Sequence, residues 1–159
     1  MVNFRIISKI IGSLLFIEAF FMVICCAIAF YYSEDDTMAF LTSTLMTFGS
    51  GCVFLFMGHE SENTLNRRDA YLVVTLTWVI FSFFGMFPFL ISGYIPNITD
   101  AFFETMSGFS TTGATILDDV EWLPHATLYW RTQTQWIGGL GIVFFTIAIL
   151  PSMVGSGSV

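Results

Sequence analysis

The stretch Asn97-Ile98-Thr99-Asp100-Ala101-Phe102-Phe103-Glu104-Thr105-Met106-Ser107-Gly108-Phe109-Ser110-Thr111-Thr112-Gly113-Ala114-Thr115 decides how this chain is read. Asn97 is a helix-capping residue type followed three positions later by Asp100, a loose form of the capping box, and Ile98, Ala101, Phe102, Met106 and Phe109 follow at helical spacing. The pattern predicts a helix over Ile98–Phe109 that ends where small hydroxylated residues begin. At about 1.5 Å per residue such a helix rises roughly 18 Å, which reaches halfway into a hydrocarbon core of about 30 Å and does not cross it.

The surroundings of this stretch say which solvent it meets. Of the 159 residues, 55% are hydrophobic and 11% charged, against roughly a quarter charged in soluble domains. Uncharged runs approach the roughly 20 residues needed to span a bilayer in four places. These are Ile10 to Tyr32, interrupted by Glu18; Thr37 to Gly58; Ala70 to Ile95; and Thr132 to Leu150, with the last helix starting near Ala126. Open strands are excluded at this depth, because lipid cannot satisfy their edges. The fold class is therefore all-α and integral to the membrane, with four transmembrane helices and one re-entrant half-helix followed by a loop. A cleaved secretory signal is disfavoured, since the first run exceeds the roughly 7 to 15 residues of a signal core and contains Glu18.

Basic residues set the expected orientation, because lysine and arginine are retained on the cytoplasmic side. Arg5 and Lys9 precede the first helix and Arg67-Arg68 separate the second from the third, so the N-terminus is expected inside. Glu34-Asp35-Asp36 and Asp118, Asp119 and Glu121 then fall outside, along with Arg131, which reads as an anchor reaching toward headgroups. A net charge of −7 with five basic residues excludes nucleic acid as a partner and favours cations. Cys25, Cys26 and Cys52 lie in apolar runs with neither CxxC spacing nor neighbouring histidines, and read as small hydrophobes.

Entering from outside, the half-helix places Asp100 and Glu104 outward and its C-terminal carbonyls, the negative end of its dipole, toward the middle of the membrane. Ser110 to Thr115 follow, and Gly113 permits backbone conformations that turn successive carbonyls toward one axis. A ring of carbonyls replaces the hydration shell of an ion. These residue types also make ordinary surface turns, and six residues alone leave both readings open. The half-length helix and the two flanking spans favour the ion-lining loop, since irregular backbone at this depth needs protein or water around it.

The runs Arg67-Arg68-Asp69, Phe102 to Thr115, and Arg131 with Gln135-Trp136-Ile137-Gly138-Gly139-Leu140-Gly141-Ile142 resemble the first repeat of the Trk-type potassium transporters, in the superfamily shared by TrkH, KtrB and HKT proteins. The resemblance extends from about Arg67 to Pro151, and the two helices before it resemble the TrkH subgroup rather than the KtrB subgroup. It implies a helix, pore loop and helix over residues 67–159, preceded by a two-helix segment over residues 1–66. Tyr71 to Gly93 matches the first helix, Ile98–Phe109 the pore helix, Ser110 to Ala114 the filter strand and Ala126 to Leu150 the second helix. By resemblance, potassium ions are coordinated by the carbonyls of Thr111, Thr112 and Gly113, flanked by Ser110 and Ala114. Glu104, Arg131, Gly138, Gly139 and Gly141 become candidates for filter support and packing, with Gly139→Leu expected to disturb the filter.

A carbonyl cage needs about four such loops and this sequence holds one, so a truncated fragment of a longer transporter is expected. The run Gly155-Ser156-Gly157-Ser158 reads as the place where further repeats follow. The resemblance further implies potassium uptake or symport across a bacterial cytoplasmic membrane, no cofactor beyond the transported ion, a homodimer of the whole protein, and cytosolic nucleotide-binding regulatory subunits of the TrkA kind. Sodium permeability or coupling is the nearest alternative, and a non-transporting scaffold the next. An enzyme is not expected: the sequence offers no pair of intramembrane acids, no histidine cluster and no serine–lysine pair, Lys9 being its one lysine. Glu18 reads as a polar contact to another helix, His59 and His125 as solvated loop residues, Pro88 as a kink in the third helix, and Trp78, Trp122, Trp130 and Trp136 as packing or interfacial residues.

Overall fold

The computed structural model describes residues 3–59 and 67–154, in six helices with no strand among the described residues. They are α1 (Phe4–Tyr31), α2 (Thr37–Gly58), α3 (Arg67–Gly85), α4 (Phe87–Ser92), α5 (Ile98–Phe109) and α6 (His125–Val154). Phe4–Tyr31, Thr37–Gly58 and the α3–α4 stretch Arg68–Ser92 are each long and apolar enough to cross a membrane. The 12-residue α5 has the bounds that the Asn97 cap predicts, and the Asn97 side chain accepts a hydrogen bond from the Thr99 N–H. The run Gly155 to Ser158 lies outside the described residues.

Two boundaries differ from the sequence expectation. α1 begins at Phe4 rather than Ile10, because Arg5 and Lys9 belong to the helix and Asn3 caps it, accepting from the Ile6 N–H. The third span is two helices, not one. Pro88 sits in the first turn of α4 and has no N–H to return to the carbonyl of Phe84, so the helix is interrupted at Met86, although Met86 still donates to the Ser82 carbonyl and accepts from Leu90. α4 then closes on Gly93, whose φ of +81° is the left-handed cap that glycine adopts without strain.

α1 and α2 pack through glycine. A Cβ on Gly12 would stand 2.8 Å from the Leu55 nitrogen and 2.9 Å from the Gly51 carbonyl oxygen, and one on Gly58 would stand 2.6 Å from the Lys9 nitrogen. Backbones therefore approach where side chains are missing, the geometry that membrane helices use when lipid supplies no hydrophobic drive to associate. Around this seam Leu15, Met22, Cys25 and Phe40 are buried, while Phe20, Phe30, Leu45 and Phe56 face outward. Cys25 is buried, Cys26 half-buried and Cys52 exposed, all with free thiols. α3, α4, α5 and α6 pack beside this hairpin with Phe89, Phe109 and Trp130 fully inside.

Trp130 packs in the core and also makes a polar contact, its indole N–H donating to the Gly85 carbonyl at 2.9 Å and pinning α6 to the break in α3. Trp122 and Trp136 are exposed. Glu18, expected as a polar contact, lies fully buried against the α3 terminus without a hydrogen bond among the described residues.

Candidate ion-binding loop

α5 is wedged between α3 and α6 by its small and polar residues. The Thr105 hydroxyl donates to its own helix at Ala101 and lies 3.0 Å from the Ser82 carbonyl of α3. On the other side Gly138 of α6 backs onto the last turn of α5, so closely that a Cβ there would overlap the Phe109 carbonyl oxygen. A Cβ on Gly108 would likewise overlap the Thr134 hydroxyl. Gly141 meets Trp78, 2.9 Å from the position of a Cβ. The close approach thus falls on Gly138, whereas Gly139 has only the Thr111 methyl, at 3.9 Å, within reach of a Cβ.

Beyond Phe109 the chain turns sharply over the end of α5. The N–H groups of Thr112 and Gly113 both point back to the Ser107 carbonyl, at 3.0 and 3.4 Å, and the Thr111 N–H donates to Gly108 at 2.8 Å. Thr111 and Gly113 have positive φ, +58° and +75°. Glycine takes this conformation freely, while for threonine it costs on the order of 1–3 kcal/mol, which the surrounding hydrogen bonds offset. Thr112 to Ile116 are exposed.

The loop carbonyls divide into two sets. Ser107 Oγ donates to the Ala114 carbonyl at 2.6 Å, and Thr111 Oγ1 donates to the Ser110 carbonyl at 2.7 Å. The three carbonyls between them, of Thr111, Thr112 and Gly113, accept no hydrogen bond from the described residues. Three successive unengaged oxygens are hard, neutral donors of the kind alkali cations prefer.

The descending strand is held from behind by one carboxylate. Glu104, with its side chain 1% exposed, accepts from Arg131 Nε at 2.6 Å, from Thr115 Oγ1 at 3.0 Å and from the Ile116 N–H at 3.2 Å. Arg131 therefore does not reach out as an anchor: its side chain is 16% exposed and lies on the carboxylate of α5. The pair leaves no net charge behind the loop. The sequence placed both residues beside the loop without indicating that they meet, since 27 positions separate them.

A second set of acids serves α6. Glu34 accepts from the N–H groups of His125 and Ala126 at 2.8 and 3.1 Å and from His125 Nδ1 at 2.8 Å, while Asp36 accepts from Thr127 Oγ1 at 2.7 Å. His125 also stacks on Tyr32; its side chain is solvated as expected, 64% exposed, but it belongs to the first turn of α6 rather than to a loop. Burial alone raises the Glu34 pKa, and the hydrogen bonds from Ala126 and His125 outweigh it, leaving the carboxyl below its ordinary range. Asp36 is held above its ordinary range by burial, with the Thr127 hydrogen bond opposing and the Glu34 charge adding. Glu34 thus caps two orphan N–H groups at the start of a long helix, while Asp36 holds the same turn through the Thr127 hydroxyl.

The family model described as TrkH, cation transport protein, matches residues 36–159. The Trk system potassium uptake protein TrkH of Halomonas elongata is 36% identical over 152 residues, covering 95% of this chain and 32% of the relative. The protein of the same name from Escherichia coli K12 is 37% identical over 151 residues, covering 94% of this chain and 31% of its own length. The crystal structure of the potassium transporter TrkH from Vibrio parahaemolyticus superposes with a TM-score of 0.88 at 35% identity, over 99% of this chain and 34% of that one. The chain spans about a third of the length of the curated relatives it matches.

Proposed function

The chain belongs to the TrkH family of cation transport proteins, and we propose that it supplies one of about four walls of a carbonyl-lined potassium filter. The observation that carries this reading is the set of unengaged carbonyls at Thr111, Thr112 and Gly113, bounded on both sides by carbonyls already hydrogen-bonded to Ser107 and Thr111 side chains. An ion exchanges its water for such oxygens at little reorganisation cost when the loop is held beforehand, and the Glu104–Arg131 pair supplies that hold. The neutral support leaves selection to the carbonyl field rather than to a fixed charge.

In this reading residues 67–159 form a helix, pore-loop, helix repeat, with α5 entering from the outer face, and residues 1–66 form a two-helix segment beside it. The whole protein passes potassium across a bacterial cytoplasmic membrane with its N-terminus in the cytoplasm. It works as a homodimer with cytosolic nucleotide-binding subunits of the TrkA kind, and the ion is its cargo rather than a cofactor. The test is growth on limiting potassium of a strain lacking its own uptake systems and carrying the full-length gene. Rescue is expected; failure of a membrane-inserted protein to rescue would favour the scaffold, and rescue that depends on sodium would favour the coupled transporter.

A further inference from the structure

Glu18 is a buried acid, deep in the membrane span α1, that ion conduction by the loop leaves unused. It lies within the apolar span Phe4–Tyr31, is 0% exposed, and neither carboxyl oxygen has a hydrogen-bond partner among the described residues. Its place in the fold is specific. A Cβ built on Gly85 would stand 3.2 Å from Glu18 Oε1 and 2.9 Å from the ring of Phe109, so the carboxyl abuts the residue where α3 ends, and the last residue of the pore helix abuts the same point. Trp130 reaches that point from α6 by donating to the Gly85 carbonyl. Four helices thus meet at the break that Pro88 imposes, where the Phe84 carbonyl has lost its helical donor.

Among the described residues no cation stands there to balance an ionised carboxylate. α2 has no charged residue between Thr37 and Gly58, and neither does α4. The charges of α3 are Arg67, Arg68 and Asp69, at its opposite end. In α5 Asp100 lies in the first turn and Glu104 is occupied by Arg131 of α6, whose other ionisable residue, His125, lies at its first position against Glu34. The basic residues of α1 itself, Arg5 and Lys9, are two or more turns away near its start. A lone charge at this depth is far costlier than a neutral acid, and a neutral acid gains a donor that the bare carboxylate lacks.

We propose that Glu18 is a proton-binding site: its carboxyl is held in the protonated form and donates a hydrogen bond into the backbone carbonyls at the α3–α4 break, tethering α1 to the seat of the pore helix. The proton is structural and does not move with the ion. It stands in for the N–H that Pro88 cannot supply, and it fixes the point against which Phe109 rests. This inference concerns the seat of α5 and stands whether or not the loop selects potassium.

The full-length protein, reconstituted in lipid, tests it by infrared spectroscopy and thermal unfolding. A protonated carboxylic C=O band that persists from mildly acid to neutral pH and disappears in E18Q is expected. Because a glutamine amide donates the same hydrogen bond, E18Q should keep the unfolding temperature within a degree or two, whereas E18M, which donates nothing, should lower it by several degrees. Should E18M fail to fold, the band in wild type against E18Q decides alone. A wild-type protein without that band, or an E18Q variant as unstable as E18M, would show an ionised Glu18 paired with a cation from elsewhere in the full-length protein and would overturn the proposal.

Discussion

Arg131 Nε lies 2.6 Å from Glu104 Oε1, joining α6 to α5 directly behind the segment that follows Gly113. Since the same carboxylate also holds Thr115 and Ile116, this one contact carries the position of the loop to two helices. Removing one partner of a buried pair strands the other charge, at a cost of about 3–5 kcal/mol, while replacing both with apolar residues is far milder. Arg131→Met should therefore destabilise the full-length protein strongly, and Arg131→Met with Glu104→Leu should recover much of the unfolding temperature but not of potassium uptake. A double variant no more stable than the single one would show that the pair is not the unit.

Gly138 and Gly139 are neighbours in sequence with opposite surroundings. Gly138→Ala drives a methyl group into the Phe109 carbonyl, which belongs to helix backbone and cannot rotate aside, so a loss of at least about 1–3 kcal/mol is expected. Gly139→Ala meets a single methyl at 3.9 Å and should be close to neutral. Thermal unfolding of the two variants side by side checks this, and equal effects would mean that α6 is rotated relative to α5.

Ser107 holds the loop at both ends, accepting from Thr112 and Gly113 through its carbonyl and donating to Ala114 through its hydroxyl. Ser107→Ala removes the hydroxyl contact, worth about 1 kcal/mol, and frees the Ala114 carbonyl while leaving the backbone bonds in place. The expected outcome is a small change in stability with a measurable weakening of potassium over sodium in flux assays.

The two acids that hold the start of α6 make stability depend on pH with opposing signs. Glu34 has a lowered folded pKa, so its contribution is full above its unfolded pKa and is lost as pH falls through the folded one. Asp36 has a raised one, so the folded state holds its proton more tightly and this residue favours the acid side. Glu34→Gln should lower the unfolding temperature at neutral pH and flatten its decline on acidification, whereas Asp36→Asn should steepen that decline. Unchanged slopes in both variants would remove the two acids from the account.

What could be read in the sequence were features encoded by neighbours along the chain. The bounds of α5 follow from Asn97 and the apolar spacing of Ile98 to Phe109, and the apolar spans follow from length and hydropathy. The start of α1 was hidden because a search for uncharged runs stops at Lys9, although basic residues sit readily at a membrane edge. Pro88 announced a kink, but that Trp130 and Glu18 gather at Gly85 beside it joins residues distant in the sequence. The Glu34–His125 contact joins residues 91 positions apart, and Gly138 differs from Gly139 only by which face of α6 meets Phe109. Neither leaves a local pattern.

The central claim is that Thr111, Thr112 and Gly113 present their carbonyls to the ion, and Gly113 tests it most directly. A side chain there meets nothing within 4 Å, yet the φ of +75° disfavours any residue but glycine, so Gly113→Ser perturbs the backbone of the loop without crowding this chain. The measurement is the potassium-to-sodium permeability ratio of the full-length protein in liposomes, wild type against Gly113→Ser. A marked fall in the ratio in a folded, membrane-inserted variant is predicted; an unchanged ratio would contradict the assignment of this loop to the filter.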